Sequence, residues 1–364
     1  MNIKRVGSIA AIAILGAIAL SSCASNEGGS GTGSSAGSSD LSGTINGIGS
    51  SAQQAAETAW ASAFQQANGD ANVNYDPQGS GAGRTSFISG AADFAGSDAA
   101  LSDDELKSTF AGCAADSKAI DLPVYISPIA IAYNVDGLTD LTLDADTIAG
   151  IFKGTITKWN DAAITKLNPD AKLPSAAITV VHRSDDSGTT FNFSQYLASQ
   201  AKSVWTEEAS QTFPYSVGDA AKGGSGVADA AKNSKNSITY LDDSAVGDLS
   251  VAKLMVGGTA TELSADGAAA VVSKSPLVEG RADNDLAINI DRTLTDKGDW
   301  PLVLVSYIIA CDTYKDSAKG NLVKAYATYA ASSDGQKAAA EQAKSAELTS
   351  DLASKVATAA ATIK

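Results

Sequence analysis

The chain has 364 residues, 44% apolar and 18% charged, with 41 acidic against 26 basic side chains and a formal net charge of −15. That balance speaks against nucleic acid or an anionic membrane surface as a partner, since both require a basic patch. Any anion site must work through local donors against an unfavourable overall field. His182 is the one histidine, so a His-rich metal centre is excluded, and no metal or cofactor is expected.

The N-terminus reads as a targeting segment. Lys4 and Arg5 precede an apolar run, Val6 to Leu20, that is too short for a comfortable membrane span. It ends Leu20-Ser21-Ser22-Cys23, the pattern of a bacterial lipoprotein signal, in which Cys23 is acylated and residues 1–22 are removed. The alternative is an ordinary secretory signal with a chance cysteine. Residues 23–40 are rich in Ser and Gly, can bury nothing, and read as a flexible tether. About 320 residues remain, which suits two lobes better than one core. Outside the cytoplasm, the two other cysteines, Cys113 and Cys311, are expected to form a disulfide.

Three loops follow. In Ser42 to Gln53 the glycines allow a tight backbone, and Ser51 with Gln54 has capping-box spacing before a helix carrying Ala55, Ala56, Ala59, Trp60 and Phe64. Ala52 stands where a dinucleotide fingerprint needs its third glycine, so that motif is weak. In the second loop a strand ends at Tyr75, Gly79 to Gly83 turn the chain, and a helix is expected from Thr85. No Lys-Ser/Thr follows these glycines, which argues against a nucleoside triphosphatase. In the third, a short strand ends at Asp98, where ligand sites of open α/β sheets lie, and a helix is expected from Ser102 with Glu105 at capping-box spacing. Asp98 reads equally as a second cap for that helix.

Leu122 to Val135, interrupted by Pro128, and Pro301 to Ala310 are long β-rich runs suited to strands passing between or beside two lobes. Helical patterns fall at Asp146–Phe152, around Val204–Trp205, after Gly223-Gly224-Ser225-Gly226, and beyond residue 317. The most informative stretch is Val180 to Phe191. An apolar strand leads into Arg183, and Ser187 or a neighbour caps a helix whose first free N–H groups belong to Gly188, Thr189 and Thr190. A helix start with open donors, hydroxyls on Ser187 and Thr189, and a guanidinium suits an anion. An ordinary capped helix beside a surface arginine remains the plainer account of this stretch alone. No Gly-x-Ser-x-Gly elbow occurs beyond the Ser/Gly-rich tether, and no internal repeat is found.

From about residue 43 onward, the chain resembles the substrate-binding proteins of bacterial phosphate ABC transporters. The resemblance rests on Gly47-Ile48-Gly49-Ser50-Ser51, Gly79-Ser80-Gly81-Ala82-Gly83, Asp93-Phe94-Ala95-Gly96-Ser97-Asp98, Arg183 to Phe191, Phe152 with Trp159-Asn160, and Leu167-Asn168-Pro169, in that family's pattern. It implies a periplasmic-binding-protein-like α/β fold: one lobe from 41–130 and 288–364, another from 134–285, with the ligand in the cleft. It further implies inorganic phosphate bound by Ser51, the Ala52 N–H, Ser80, Asp98, Arg183, Ser187, Gly188 and Thr189, with Asp185 orienting Arg183. It implies ABC permease subunits as partners, a location on the extracytoplasmic face held by the Cys23 lipid alone, and no enzymatic activity. This chain departs from the family pattern at Ala52, at His182 (left outside the site) and in having glycine after Ser80. Asp98, which can only accept when ionised, would take the proton of phosphate and repel sulfate. The alternatives are a binder of sulfate, molybdate or tungstate and, less favoured, a phosphoester-processing enzyme.

Overall fold

The structure, a computed structural model, describes residues 41–364; Cys23, the signal and the tether lie outside them. Parallel strands β1 (Gly43–Gly49), β2 (Ala71–Asp76) and β3 (Phe94–Ser97) are linked by helices α1 (Gln54–Ala67) and α2 (Ser80–Ile88). The long β4 (Ala119–Asn134) follows, then β5 (Thr142–Leu143), α3 (Ala145–Lys153) and α4 (Ala162–Leu167). Next come β6 (Thr179–Arg183), α5 (Gly188–Gln200), β7 (Asp219–Ala221), α6 (Gly223–Asn233) and β8 (Ser237–Asp242). Short strands β9 (Ser250–Val251), β10 (Lys253–Val256) and β11 (Thr259–Thr261) precede α7 (Ala265–Ser273) and β12 (Val303–Cys311). The chain closes with α8 (Ser317–Ala331), α9 (Ser333–Ala343) and α10 (Ser350–Ala361).

A nine-stranded sheet runs β2-β1-β3-β12-β4-β8-β6-β7, with β9 also on β4; β11-β10-β5 form a separate three-stranded sheet. β4 is 16 residues long and buried along all but its last residue, the continuous apolar signature of a strand covered on both faces. Its first part, Ala119 to Pro128, pairs antiparallel with β12, and its second part, Ile129 to Asn134, with β8. Pro128 does not break the strand. It has no N–H to give, and it sits where β4 changes partner. The tryptophans Trp60, Trp159, Trp205 and Trp300 are all buried. Trp60, Trp159 and Trp300 give their indole N–H to the carbonyls of Gly335, Asn236 and Ile129.

Cys113 and Cys311 are bonded, with Cα atoms 5.4 Å apart, tying the end of β12 to the loop before β4. Other expectations need correction. α2 begins at Ser80, five residues ahead of the expected Thr85, because Gly79 takes φ +106° and Gly81 to Gly83 pack as helix. The segment after Ser102 makes its capping box, Ser102 N–H to Glu105 at 2.8 Å and Glu105 N–H to Ser102 Oγ at 3.3 Å, yet yields a single 3₁₀ turn, Glu105–Lys107. Val204–Trp205 is a turn whose Trp205 is buried, and no helix forms there. Ser50, not Ser51, receives the N–H groups ahead of α1, those of Ala52 and Gln53.

Candidate anion-binding site

The site is assembled from helix starts that follow sheet strands. β6 ends at Arg183, and Ser187, in extended backbone, caps α5 by accepting the Thr190 N–H at 3.1 Å. Among the described residues no acceptor meets the Gly188 or Thr189 N–H, so both donors point out of the helix start. β3 delivers Asp98 opposite them. Its Oδ2 accepts from Thr189 Oγ1 at 3.4 Å and its Oδ1 from Ser306 Oγ of β12 at 2.8 Å. Its N–H donates to Ser80 Oγ, at the start of α2, at 3.1 Å. Asp98 does not cap the turn after Ser102.

Gly188 is needed because the start of α5 packs directly on Ser80 and Asp98 there. A Cβ on it would lie 2.5 Å from Ser80 Oγ and 2.6 Å from Asp98 Cβ. Arg183 is held in a two-pronged pair, Nε to Asp185 Oδ1 at 2.8 Å and Nη2 to Oδ2 at 2.5 Å, and no hydrogen bond from the described residues engages its Nη1. Asp185 Oδ1 also accepts the Gly223 N–H at 3.1 Å, anchoring the start of α6. The neighbouring Gly224 N–H donates to Ser51 Oγ at 3.0 Å. The Ala52 N–H is engaged by Ser50 Oγ at 3.1 Å, so it is not a free donor here. All the sequence-derived site residues therefore gather at one locus, Ala52 with its N–H already partnered.

Burial pushes the Asp98 carboxyl upward, while hydroxyls of Ser50 and Ser306, the charge of Arg183 and the Thr189 hydroxyl pull it back toward ionisation. For Asp185 burial is outweighed by the bonds and charge of Arg183 and the Gly223 N–H, so its carboxyl stays below its ordinary value. Deeper in the sheet Asp242 is pushed up to about 7 by burial, and Tyr125 donates its hydroxyl to it. His182 stacks on Phe213 with ring centres 4.1 Å apart, a packing role outside the site.

Sequence reasoning missed Ser50, Ser306, Asn192 and the cross-cleft bonds of Gly224 to Ser51 and of Lys222 to Gln78. Gly223-Gly224 was visible as a helix opener, but nothing local says what a helix start faces.

The sequence pattern of the PBP superfamily domain matches residues 34–334. Phosphate-binding protein PstS 3 of Mycobacterium tuberculosis is 37% identical over 338 residues, 90% of each chain. The chain belongs to the PstS family of phosphate-binding proteins. PstS 2 of the same organism is 37% identical over 260 residues, 70% of each chain. Among solved structures, a high-affinity periplasmic phosphate-binding protein with bound phosphate superposes with a TM-score of 0.72 at 23% identity, covering 87% of this chain and 93% of that one. The phosphate-binding protein of Stenotrophomonas maltophilia gives 0.67 at 22%, covering 87% and 94%. The fold is thus the two-lobed α/β architecture of periplasmic binding proteins. No helix among the described residues is long and apolar enough to cross a membrane, and no cluster of His, Cys, Asp or Glu there suits a metal ion.

Proposed function

We propose that this PstS-family protein binds inorganic phosphate outside the cytoplasmic membrane and delivers it to an ABC permease. The observation that carries the choice of ion is Asp98, a buried carboxylate set directly against the donor-rich start of α5. Backbone N–H groups, hydroxyls and a guanidinium attract any oxyanion. Phosphate near neutral pH still carries a proton that Asp98 accepts, whereas sulfate brings none and its oxygens oppose the carboxylate.

In this reading Ser51, the Ala52 N–H, Ser80 and Asp98 hold the ion from the lobe of residues 41–130 and 288–364. Arg183, Ser187, Gly188 and Thr189 hold it from the lobe of residues 134–285. Asp185 keeps the Arg183 fork planar to the ligand. The Ala52 N–H leaves Ser50 Oγ as the ion arrives. Lobe closure completes the donor set, since neither side alone supplies it. Cys23 carries the lipid that holds the protein at the extracytoplasmic face. In this reading the protein holds its ligand without cleaving it, and no histidine base faces the hydroxyls, since His182 is stacked on Phe213. Calorimetric titration with phosphate and with sulfate tests the reading. Tight phosphate and weak sulfate binding support it, and a preference for sulfate refutes it. Incubation with a phosphate monoester should release no phosphate.

A further inference from the structure

We propose that Arg292 is a buried counter-charge for the bound anion and acts on it through Asn192. The proposal rests on the oxyanion reading of the cleft. Within the cleft Arg183 is already neutralised by Asp185, which leaves Asp98 as a negative group beside an incoming anion. A further positive charge nearby would offset that negative group, and Arg292 lies outside the residues that line the donor cradle.

Arg292 lies on the segment between α7 and β12 and is 2% exposed. All its bonds end on neutral oxygens. Nε and Nη2 reach Gln195 Oε1 at 3.0 and 2.9 Å, and Nη1 reaches the carbonyls of Pro301 and Val303, both at 2.9 Å. Nη2 also reaches Asn192 Oδ1 at 2.5 Å. No carboxylate pairs with it among the described residues, and the titratable groups facing it are the phenols of Tyr196 and Tyr307. Asp291, its neighbour in sequence, turns to Thr293 instead. Burial lowers the guanidinium to about 9, so at neutral pH it keeps its charge. A buried cation without a counter-ion is destabilising unless something else supplies the negative charge.

The link to the cleft is direct. Asn192, one turn after Gly188 on α5, donates from Nδ2 to the Asp98 carbonyl at 2.6 Å and to the Gly188 carbonyl at 3.0 Å. The Arg292 charge thus reaches, through one amide, the main chain of two positions that face the anion, and it adds to the positive end of α5.

A purely structural role would be to staple the 274–302 segment to α5, and Gln195→Glu separates the two. It keeps the shape and both acceptor contacts while giving Arg292 a partner charge. The full chain is titrated with phosphate at pH 6 and pH 8, alongside Arg292→Gln and Arg292→Lys. A counter-charge predicts that Gln195→Glu leaves thermal stability intact but weakens phosphate on the order of tenfold. The loss should be larger at pH 8, where the ligand is dibasic. Arg292→Gln should follow the same pattern, and Arg292→Lys should restore most of the affinity. Unchanged affinity in Gln195→Glu, or equal loss at both pH values, overturns the proposal. If the wild type binds sulfate and not phosphate, the phosphate reading fails, and the same variants test the counter-charge with sulfate, for which, as a dianion at both pH values, only unchanged affinity overturns it. A wild type that binds neither ion overturns both.

Discussion

Gly188 rests against Asp98 so closely that a Cβ at 188 would stand 2.6 Å from the Asp98 Cβ. This is a contact between the start of α5 and the end of β3, across the cleft. Alanine favours helix over glycine, so Gly188→Ala should not destabilise α5 itself. It should instead wedge the cleft, and phosphate affinity should fall by about 1–3 kcal/mol, the usual range for overpacking. Calorimetry alongside a thermal melt checks this. A melt that drops while affinity holds would place the strain elsewhere.

Asp98→Asn should alter selectivity more than stability. Phosphate should lose about 1–3 kcal/mol with the charge-assisted bond, and sulfate should gain, because an N–H now faces its oxygens. Arg183→Ala should weaken both ions together. An unchanged phosphate-to-sulfate preference in Asp98→Asn would reject the selectivity role.

Glu57 in α1 is fully buried, accepts the Tyr326 hydroxyl at 2.6 Å, and is pushed up to about 8 by burial against the pull of that bond. A raised carboxyl favours the folded state while protonated, so its contribution is complete below the unfolded value near 4.5 and is lost as pH rises toward 8. Asp242, raised to about 7 by burial, and Asp121, raised by burial and by the charge of Asp285 beside it, act in the same direction. The unfolding midpoint in denaturant should therefore fall between pH 5 and pH 8, and Glu57→Gln should flatten that slope. An identical slope in the variant would remove Glu57 from the account.

Asn168, part of the Leu167-Asn168-Pro169 sequence, is structural. Its Oδ1 accepts the Thr142 N–H at 2.7 Å, and its Nδ2 donates to the carbonyls of Thr142 and Ile164 at 2.8 and 2.9 Å. Asn168→Ala should lower stability by about 1–3 kcal/mol, as for buried backbone groups left unpaired. Phosphate affinity should be unchanged in a titration.

What could be read from the sequence was what is decided locally. The start of α5 follows from Ser187 and the residues just after it, and the burial of β4 from a run that is apolar but for Asp121, Ser127 and its last residue. Of the glycines of 79–83 only Gly79, at φ +106°, turns the chain; Gly81 and Gly83 misled because they serve close packing. A Cβ on Gly83 would lie 2.5 Å from the Ile48 carbonyl, and the Gly81 N–H bonds across to Asp186 at 3.1 Å. The capping box at Ser102 formed, but Glu105 is also claimed by Arg84 at 2.9 Å, and the helix stops after one turn. Ser306 and Arg292 carry no local signal, since their links to the site run through Asp98, 208 positions from Ser306, and Asn192, 100 positions from Arg292.

The Cys113–Cys311 bond makes a covalent circle of everything between those residues. Arg183, Asp185 and Ser187 to Thr189 belong to the circle, while Ser51, Ser80 and Asp98 lie on the chain that enters it. A protease that cuts once inside the circle between Cys113 and Arg183, for instance at the exposed Asp136 and Gly137, leaves one molecule on a non-reducing gel and two fragments after reduction. Asp98 and Arg183, and with them the two groups of candidate-site residues, thus stay tethered after a nick that would otherwise part them.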